Sequence, residues 1–383
     1  MDGHALIDEA LREARAAMDR AYAPYSGFPV GAAVIANGQI FTGQNIENAS
    51  YPVSVCAERN AVGRMIDAGE RRIDGGPAPQ RVRPERPGTM TAFRSGVVAV
   101  VGRPNVGKST LVNALVGQKV AIVSEKPQTT RRGIHAIWST EGAQVVLTDT
   151  PGYHKPRTLL GERLNELVGD AVSGVDVVLH VVDAAAGVGT GDAFVYEHRV
   201  RPTGARAICV VNKVDATFGR SEVPQLAAAG ALGDYDEIVP VSARQGKGVG
   251  MLRRVILERI PEGPALYPEE TITDQPLDVR LAEIVREKAL AVTRQEVPHS
   301  IAVVVEELEY DDSLTKVHAS LIVERESQKG IVIGRGGETL KTIGSRAREE
   351  MELLLGTKVY LDLHVKVLKE WQRDPRALER LGF

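Results

Sequence analysis

Gly102-Arg103-Pro104-Asn105-Val106-Gly107-Lys108-Ser109 fits the pattern G-x-x-x-x-G-K-[ST] at every fixed position. In that spacing Gly102 and Gly107 let the backbone turn tightly with its amide N–H groups toward phosphate oxygens. Lys108 adds positive charge at the β/γ end, and Ser109, followed by Thr110, offers a hydroxyl to Mg2+. The flanks agree. Ser95-Gly96-Val97-Val98-Ala99-Val100-Val101 reads as a buried strand, and residues 109–117 read as a helix whose N-terminus faces the anion. Together they predict a nucleoside triphosphate site on an α/β fold with a mostly parallel sheet.

Downstream, residues 143–148 form a second apolar strand that ends in Asp149-Thr150-Pro151-Gly152, which sets a carboxylate at the strand's C-terminal edge. Asp149 can hold Mg2+ through water, and the Gly152 amide can sense a γ-phosphate. Strands over 176–183 and 206–211 follow, the latter running into Asn212-Lys213-Val214-Asp215. Guanine presents N1–H beside an exocyclic amine, so the two oxygens of Asp215 can accept both bonds, whereas adenine leaves the carboxylate unpaired. Asn212 can orient the loop and touch the base, Lys213 can lie over the ring, and Ser242-Ala243 after the strand Glu237–Val241 offers a backbone N–H to the guanine carbonyl. Each short match is weak alone; in chain order, one βα unit apart, they point to a GTPase.

On these residues the chain resembles the translation-factor-related GTPases, in particular the Era family. Gln128-Thr129-Thr130-Arg131 is similar to that family's first switch, and the resemblance gives Thr130 the role of completing the Mg2+ shell, with Thr129 as the alternative. Lys108, Thr130 and Asn105 are the residues it implies for catalysis, Asn105 through charge neutralisation near the phosphates; Ser109, Thr130 and Asp149 are those it implies for Mg2+. Tyr153 follows Gly152 where Ras-like enzymes place a water-orienting glutamine, and it has no carboxamide to align water, so slow turnover is expected. The resemblance implies a switch or timer.

An acidic, proline-containing stretch over 266–276 reads as a linker between a GTPase domain at 93–265 and a new domain at 277–383. A helix over 277–294 comes first, then alternating strands over 300–308 and 316–324. Ile331-Val332-Ile333-Gly334-Arg335-Gly336-Gly337 opens a helix, and the last strand is Lys358–Val367. This order resembles an α+β type II KH domain, in which the glycines let a nucleic-acid backbone come close. Between 329 and 348 the bases Lys329, Arg335, Lys341, Arg346 and Arg348 stand against the single acid Glu338. Gly334, Gly336 and Gly337 with Lys329, Arg335, Lys341 and Arg346 are therefore the RNA-binding candidates. The resemblance implies the 3′ end of 16S rRNA on the 30S subunit precursor as partner; neither spacing nor charge identifies that RNA.

Residues 1–76 belong to neither module. A helical repeat of Ile7, Ala10, Leu11, Ala14, Ala17 and Met18 precedes a hairpin turn at Asn37-Gly38, and Cys56-Ala57-Glu58-Arg59 opens a further helix. This resembles the first half of a cytidine deaminase. The resemblance implies a zinc thiolate from Cys56, a proton-shuttling Glu58, Phe28 near the pyrimidine, and Asn45 with Glu47 on the ribose. Deaminase chemistry needs two more thiolates, and the one other cysteine, Cys209, lies in a predicted GTPase strand. Cys56 therefore reads as a buried or helix-start thiol in a truncated α/β remnant, zinc is not expected, and residues 77–92 read as a flexible linker. Half a deaminase would leave a sheet edge uncovered, so the remnant is expected to pack, dimerise or stay partly disordered.

A net charge of -3 over 383 residues gives no global pull toward nucleic acid, so RNA binding must be local. Two cysteines exclude a disulfide framework, and no apolar run spans a bilayer, so the expectation is a cytoplasmic protein; a monomer is expected separately. The family resemblance adds peripheral association with the inner membrane face, for which no amphipathic helix is evident. The leading expectation is a GTP-hydrolysing switch that binds rRNA during small-subunit assembly. Its rivals are an RNA-binding scaffold with little hydrolysis and a bifunctional deaminase/GTPase.

Overall fold

A computed structural model describes residues 3–22, 30–46, 56–73, 93–124, 126, 129–131, 133–153, 158–217, 223–293, 297–310 and 313–383. The chain falls into two units, Met1–Met90 and Thr91–Phe383. Phe28, Glu47, Gln128 and the 77–92 linker lie outside the described residues.

In the first unit, helices α1 (Gly3–Met18) and α2 (Ala57–Asp67) pack on an antiparallel hairpin of β1 (Gly31–Ala36) and β2 (Gln39–Gln44). Asn37 and Gly38 turn it with φ of 50° and 73°, the left-handed pair that a type I′ hairpin requires. Its core is built mostly of alanine: Ala10, Ala14, Ala17, Ala32, Ala36, Ala57 and Ala61, joined by Ile35 and Met65. Such short side chains withdraw little apolar area from water.

The second unit begins with β3 (Arg94–Val101), α3 (Lys108–Val116), β4 (Ile134–Thr140), β5 (Ala143–Asp149), α4 (Leu159–Ala171) and β6 (Val177–Asp183). It continues with α5 (Thr190–Val195), β7 (Arg206–Asn212), α6 (Val223–Gly230), β8 (Glu237–Val241) and α7 (Val249–Arg259). The six strands lie in the order β4-β5-β3-β6-β7-β8, all parallel except β4. Helices cover both faces, which is why β5 and β6 read as continuous apolar runs and are buried from end to end. The strand order reverses on either side of β3, so a crevice opens beyond its C-terminal end, where such sheets bind ligands.

The edge strand β4 is absent from the expected strands because its apolar run is short and interrupted; its tertiary setting makes it a strand. Ala136 and Trp138 face the core, with the Arg253 guanidinium 5.2 Å from the Trp138 ring centre. The outer side of β4 is covered by the stretch read as a linker. The Ile137 N–H donates to the Ile272 oxygen at 2.9 Å, and buried Gln144 accepts from the N–H groups of Leu266 and Tyr267 at 2.7 and 2.8 Å. Gln144 Nε2 also donates to the Tyr267 oxygen at 2.9 Å, so the connector shields an edge that would otherwise be open to another strand.

Next come α8 (Leu277–Val292), β9 (Ala302–Glu309), β10 (Leu314–Val323), α9 (Glu326–Ile333), α10 (Glu338–Leu355), β11 (Lys358–Val367) and α11 (Pro375–Arg380). The sheet order is β11-β10-β9, with β10 parallel to β11 and antiparallel to β9. Its core joins Leu281 and Val285 of α8, Val332 of α9 and Ile343, Ala347 and Met351 of α10 to Val317 and Leu321 of β10. Residues 331–333, expected as the approach to one helix, instead finish the separate helix α9. Gln328 Oε1 fixes its start by accepting from the Glu324 and Arg325 N–H groups at 2.9 and 3.0 Å. Among the described residues no helix is long and apolar enough to cross a membrane.

Gln144→Ala removes three hydrogen bonds to the connector, each worth about 1 kcal/mol. Limited proteolysis within 264–276 is expected to speed up by at least about tenfold; cleavage at the wild-type rate would show that β4 alone holds the connector.

Candidate functional site

The C-terminal ends of the central strands are level: Val100 pairs with Asp149, Val101 with His180, and Asp183 with Asn212, which pairs with Val241. That register brings four loops to one edge. Gly107, at φ 95°, caps α3, and a Cβ there would stand 2.4 Å from Asn212 Nδ2, so glycine is required both for the turn and for the close approach. Asn212 Nδ2 donates to the Val106 oxygen at 2.9 Å, and Lys213 Nζ donates to the Asn105 oxygen at 2.5 Å and to Asp183 at 2.6 Å. The phosphate loop and the base loop are thus fastened into one cleft.

Lys108, 6% exposed, donates to the carbonyl oxygens of Gly102 and Arg103 at 3.1 and 3.0 Å. Burial lowers its pKa to about 8, against the favourable charge of Asp149. Ser109 Oγ lies 2.7 Å from Asp149 Oδ2 and 2.9 Å from Thr130 Oγ1, and Thr130 donates to the same carboxylate oxygen at 3.0 Å. Burial raises the Asp149 pKa, and Ser109, Lys108 and Thr130 oppose the rise. Asp149 Oδ1 is buried with no partner among the described residues. Three hard oxygen donors and an unpartnered carboxylate oxygen suit Mg2+, a hard cation that takes oxygen ligands and is commonly bound through one or two carboxylates with water and phosphate. Of the two threonines, Thr130 reaches this cluster, whereas Thr129 Oγ1 bonds the Lys126 oxygen at 2.7 Å.

Several expected ligands are placed differently. The Arg103 side chain turns away to Asp192 and the Gly187 oxygen, leaving its backbone in the loop beside Pro104. The Thr150 hydroxyl donates to the Val100 oxygen, a structural bond. Gly152, after Pro151, lies so near Pro104 that a Cβ would come within 2.7 Å, and the Tyr153 N–H donates to the Gly102 oxygen at 3.3 Å. The Ala243 N–H, expected for guanine, donates to Asn212 Oδ1 at 3.1 Å, and the Ser242 N–H to the Lys247 oxygen at 2.9 Å. Asp215 is exposed, and among the described residues nothing bonds its carboxylate, which leaves both oxygens available to a base. Asn105 is exposed at φ 63°, and Thr110 is half-buried on the first turn of α3.

Sequence reading passed over Asp183, whose signal was its place at the C-terminal end of an apolar strand. Its Oδ1 accepts from the Ala185 and Ala186 N–H groups at 2.9 and 3.0 Å while Oδ2 holds Lys213. His180, beneath the loop, was likewise passed over. Burial, then the charges of Arg103 and Lys108, push its pKa to about 3, so it stays neutral, 2.7 Å from the Tyr235 hydroxyl.

In the second sheet's module, Gly334, Gly336 and Gly337 take φ of 75°, 60° and 82° between α9 and α10, with Arg335 and Gly336 exposed. This turn presents open backbone at its glycines beside the exposed Arg335 side chain. Lys341 and Arg348 lie about 20° apart around α10, and Arg346 about 140° from Lys341. Arg346 lines a cleft of about 770 Å3 with Lys119, Arg280 and Lys288, apart from the glycine turn. Lys329 is half-buried on α9.

In the first unit Cys56 is exposed at the start of α2, and Glu58 is half-buried in its first turn. Asn45 Oδ1 accepts from the Val30 N–H at 2.7 Å. Among the described residues no three His, Cys, Asp or Glu side chains are grouped to hold a metal.

Family models match at residues 97–213 (50S ribosome-binding GTPase), 296–372 (KH domain) and 5–78 (cytidine and deoxycytidylate deaminase zinc-binding region). GTPase Era of Mycolicibacterium smegmatis is 52% identical over 300 residues, 77% of this chain and 100% of that protein. The chain belongs to the Era family of GTPases. Era of Mycobacterium tuberculosis is 52% identical over 301 residues, again 77% of this chain and all of the relative. A variant of Aquifex aeolicus Era bound to GDP and AlF4−, and an Era in complex with MgGDPNP and nucleotides 1506–1542 of 16S ribosomal RNA, each superpose with a TM-score of 0.73 at 41% identity. Each covers 76% of this chain and 99% of its own.

The lowered Lys108 pKa sets a sign for nucleotide binding in this Era-family site. Phosphate favours the protonated ammonium, so binding takes up a proton above pH 8, and affinity falls as pH rises, by at most about tenfold per unit. Calorimetry of GDP binding without divalent cation at pH 8.5, in buffers of different ionisation heat, is expected to report uptake; zero or released protons would contradict it.

Proposed function

We propose that the chain is a GTP-hydrolysing switch whose glycine-loop module binds the 3′ end of 16S rRNA during assembly of the small ribosomal subunit. The observation that carries this reading is the contact of Thr130 with both Ser109 and Asp149, which closes the first switch onto a metal-competent cluster. The RNA half rests on the similar Era bound to 16S nucleotides and on the open glycine turn. We take 93–265 as the GTPase domain, 277–383 as the RNA-binding domain, and the cytoplasm, where that RNA is, as the location.

Ser109, Asp149 and Thr130 would hold Mg2+, which screens charge on the phosphates when bound. Lys108 and the loop amides meet the β- and γ-phosphate oxygens, Asn105 adds a polar group beside them, and Asp215 reads the guanine edge. Tyr153 supplies no carboxamide to orient water, so chemistry relies on positioning and charge, and unaided turnover is slow. Ser109 and Thr130 hydroxyls already lie on Asp149, so little rearrangement separates this arrangement from the metal-bound one. For the first unit we infer no deaminase activity: Cys56 is one thiolate where a catalytic zinc needs three protein ligands. One tightly held zinc per purified chain would overturn that.

GTP turnover measured with and without a 3′-terminal 16S rRNA fragment tests the switch and its partner together. The expected result is slow cleavage and specific binding of the fragment; a chain that binds GTP but never cleaves it is a scaffold. Asp215→Asn is expected to weaken GTP by about 10- to 100-fold and to favour xanthosine triphosphate. Unchanged guanine selectivity in competition binding would remove Asp215 from the base site.

A further inference from the structure

The residues on either side of Thr130 are held by the C-terminal half of the second unit. Arg286 of α8, 1% exposed, donates through Nη2 to the carbonyl oxygen of Thr129. Glu283, one turn earlier, grips the same guanidinium at 2.8 Å through Nε and 2.6 Å through Nη2, which fixes its plane. On the other side, Arg131, 2% exposed, donates through Nη1 to the carbonyl oxygen of Ile301 at 2.6 Å. Its guanidinium lies 5.6 Å from the ring centre of fully buried Trp371, whose Nε1 donates to the Ser300 oxygen at 3.1 Å.

This arrangement is electrostatically costly. Burial and then the Arg286 charge work against Arg131, with Glu283 and Glu324 acting for it. Apolar side chains would fill the same space with less desolvation. What two arginines add is direction: the Arg286 guanidinium, forked on Glu283, aims one N–H at the carbonyl before Thr130, and Arg131, the residue after it, aims one at the carbonyl just before β9. The Thr130 hydroxyl between them lies 2.9 Å from Ser109 and 3.0 Å from Asp149.

We propose that Arg286 and Arg131 are positioning residues of the GTPase site, by which the RNA-binding domain holds Thr130 against Ser109 and Asp149. The inference rests on the reading that this site hydrolyses GTP with Mg2+. Neither arginine touches substrate; each acts through the backbone next to Thr130. By linkage, whatever free energy the latch lends to metal-bound GTP, metal-bound GTP returns to the latch. The GDP state, which does not need Thr130, returns none.

The test uses the full chain and the Mg2+ dependence of single-turnover GTP hydrolysis, with GDP affinity as the control for folding. Arg286→Ala is expected to slow cleavage and to raise the Mg2+ concentration for half-maximal rate, each by about tenfold, the usual effect of losing a group that orients a metal ligand. GDP affinity should change less than twofold. Arg286→Lys, which keeps the charge but loses the fork, should restore the rate only in part. Thr130→Ala should match Arg286→Ala, and the double variant should be no slower than Thr130→Ala alone. A wild-type Mg2+ profile in Arg286→Ala, or fully multiplied effects in the double variant, would overturn the latch. Should Arg286→Ala bind GDP poorly, Arg131→Lys takes its place under the same two criteria. A wild-type chain that binds GTP without cleaving it overturns the hydrolysis reading instead.

Discussion

A carboxylate buried at the end of a central strand, with two hydroxyls on one oxygen and, among the described residues, nothing on the other, governs this molecule. Asp149 is 0% exposed, and its Oδ1 has no partner among the described residues. Leaving an ionised group in that state costs several kcal/mol unless a charge compensates it. Lys108 supplies part of that charge; burial lowers its proton affinity, and the charge of Asp149 opposes the fall. A divalent cation would complete the balance, and Asp149, Ser109 and Thr130 are the residues that would hold it. The sheet register serves this end: pairing Val100 with Asp149 puts the phosphate loop and the carboxylate at the same height. A shift of one residue would reverse the side chains between the two faces and bury the carboxylate elsewhere.

The parts legible in the sequence are those where one residue type meets one chemical demand. The phosphate loop, the carboxylate of Asp149, the strand Lys358–Val367 and the Asn37-Gly38 turn are all of this kind. The parts that were not legible depend on neighbours far along the chain. Strand β4 exists because β5 offers it a partner and Arg253 and the connector cover it. The Arg103 side chain leaves the loop because Asp192 lies across from it, 89 residues away in sequence. Arg131 read as one more basic residue beside a threonine pair; its burial needs Trp371 and Ile301, which no local pattern announces.

The first unit shows the converse. Its hairpin and helices follow local rules, and α2 is clamped to β2 by Asn60 Nδ2 on the Gln44 oxygen at 2.7 Å and Arg64 Nη1 on the Thr42 oxygen at 3.1 Å. Its chemistry does not follow from those rules. A zinc-deaminase helix start is useful only when further thiolates arrive from a later segment, and the remaining cysteine of this chain is buried in β7. Burial raises the Cys209 pKa to about 12, so that thiol stays protonated and inert.

The loop ending at Tyr153 and the stretch around Thr130 are held by different means. Tyr153 stacks on Phe194 with ring centres 5.7 Å apart and lies beneath the Arg199 guanidinium at 4.4 Å, all within the GTPase sheet's own layers. The residues around Thr130 are held from outside that layer, by α8 and the approach to β9. Trp371 joins the two halves: it meets Arg131 on one side and packs with Leu160 and Leu164 of α4 on the other. Arg163 of the same helix donates to the Phe383 oxygen at 2.5 Å, so the chain's last residue is fastened there too. Trp371 thus links Arg131, next to Thr130, with α4, whereas Lys108 and the phosphate loop are held separately, by the Gly102 and Arg103 carbonyls and by the Asn212 bond to Val106.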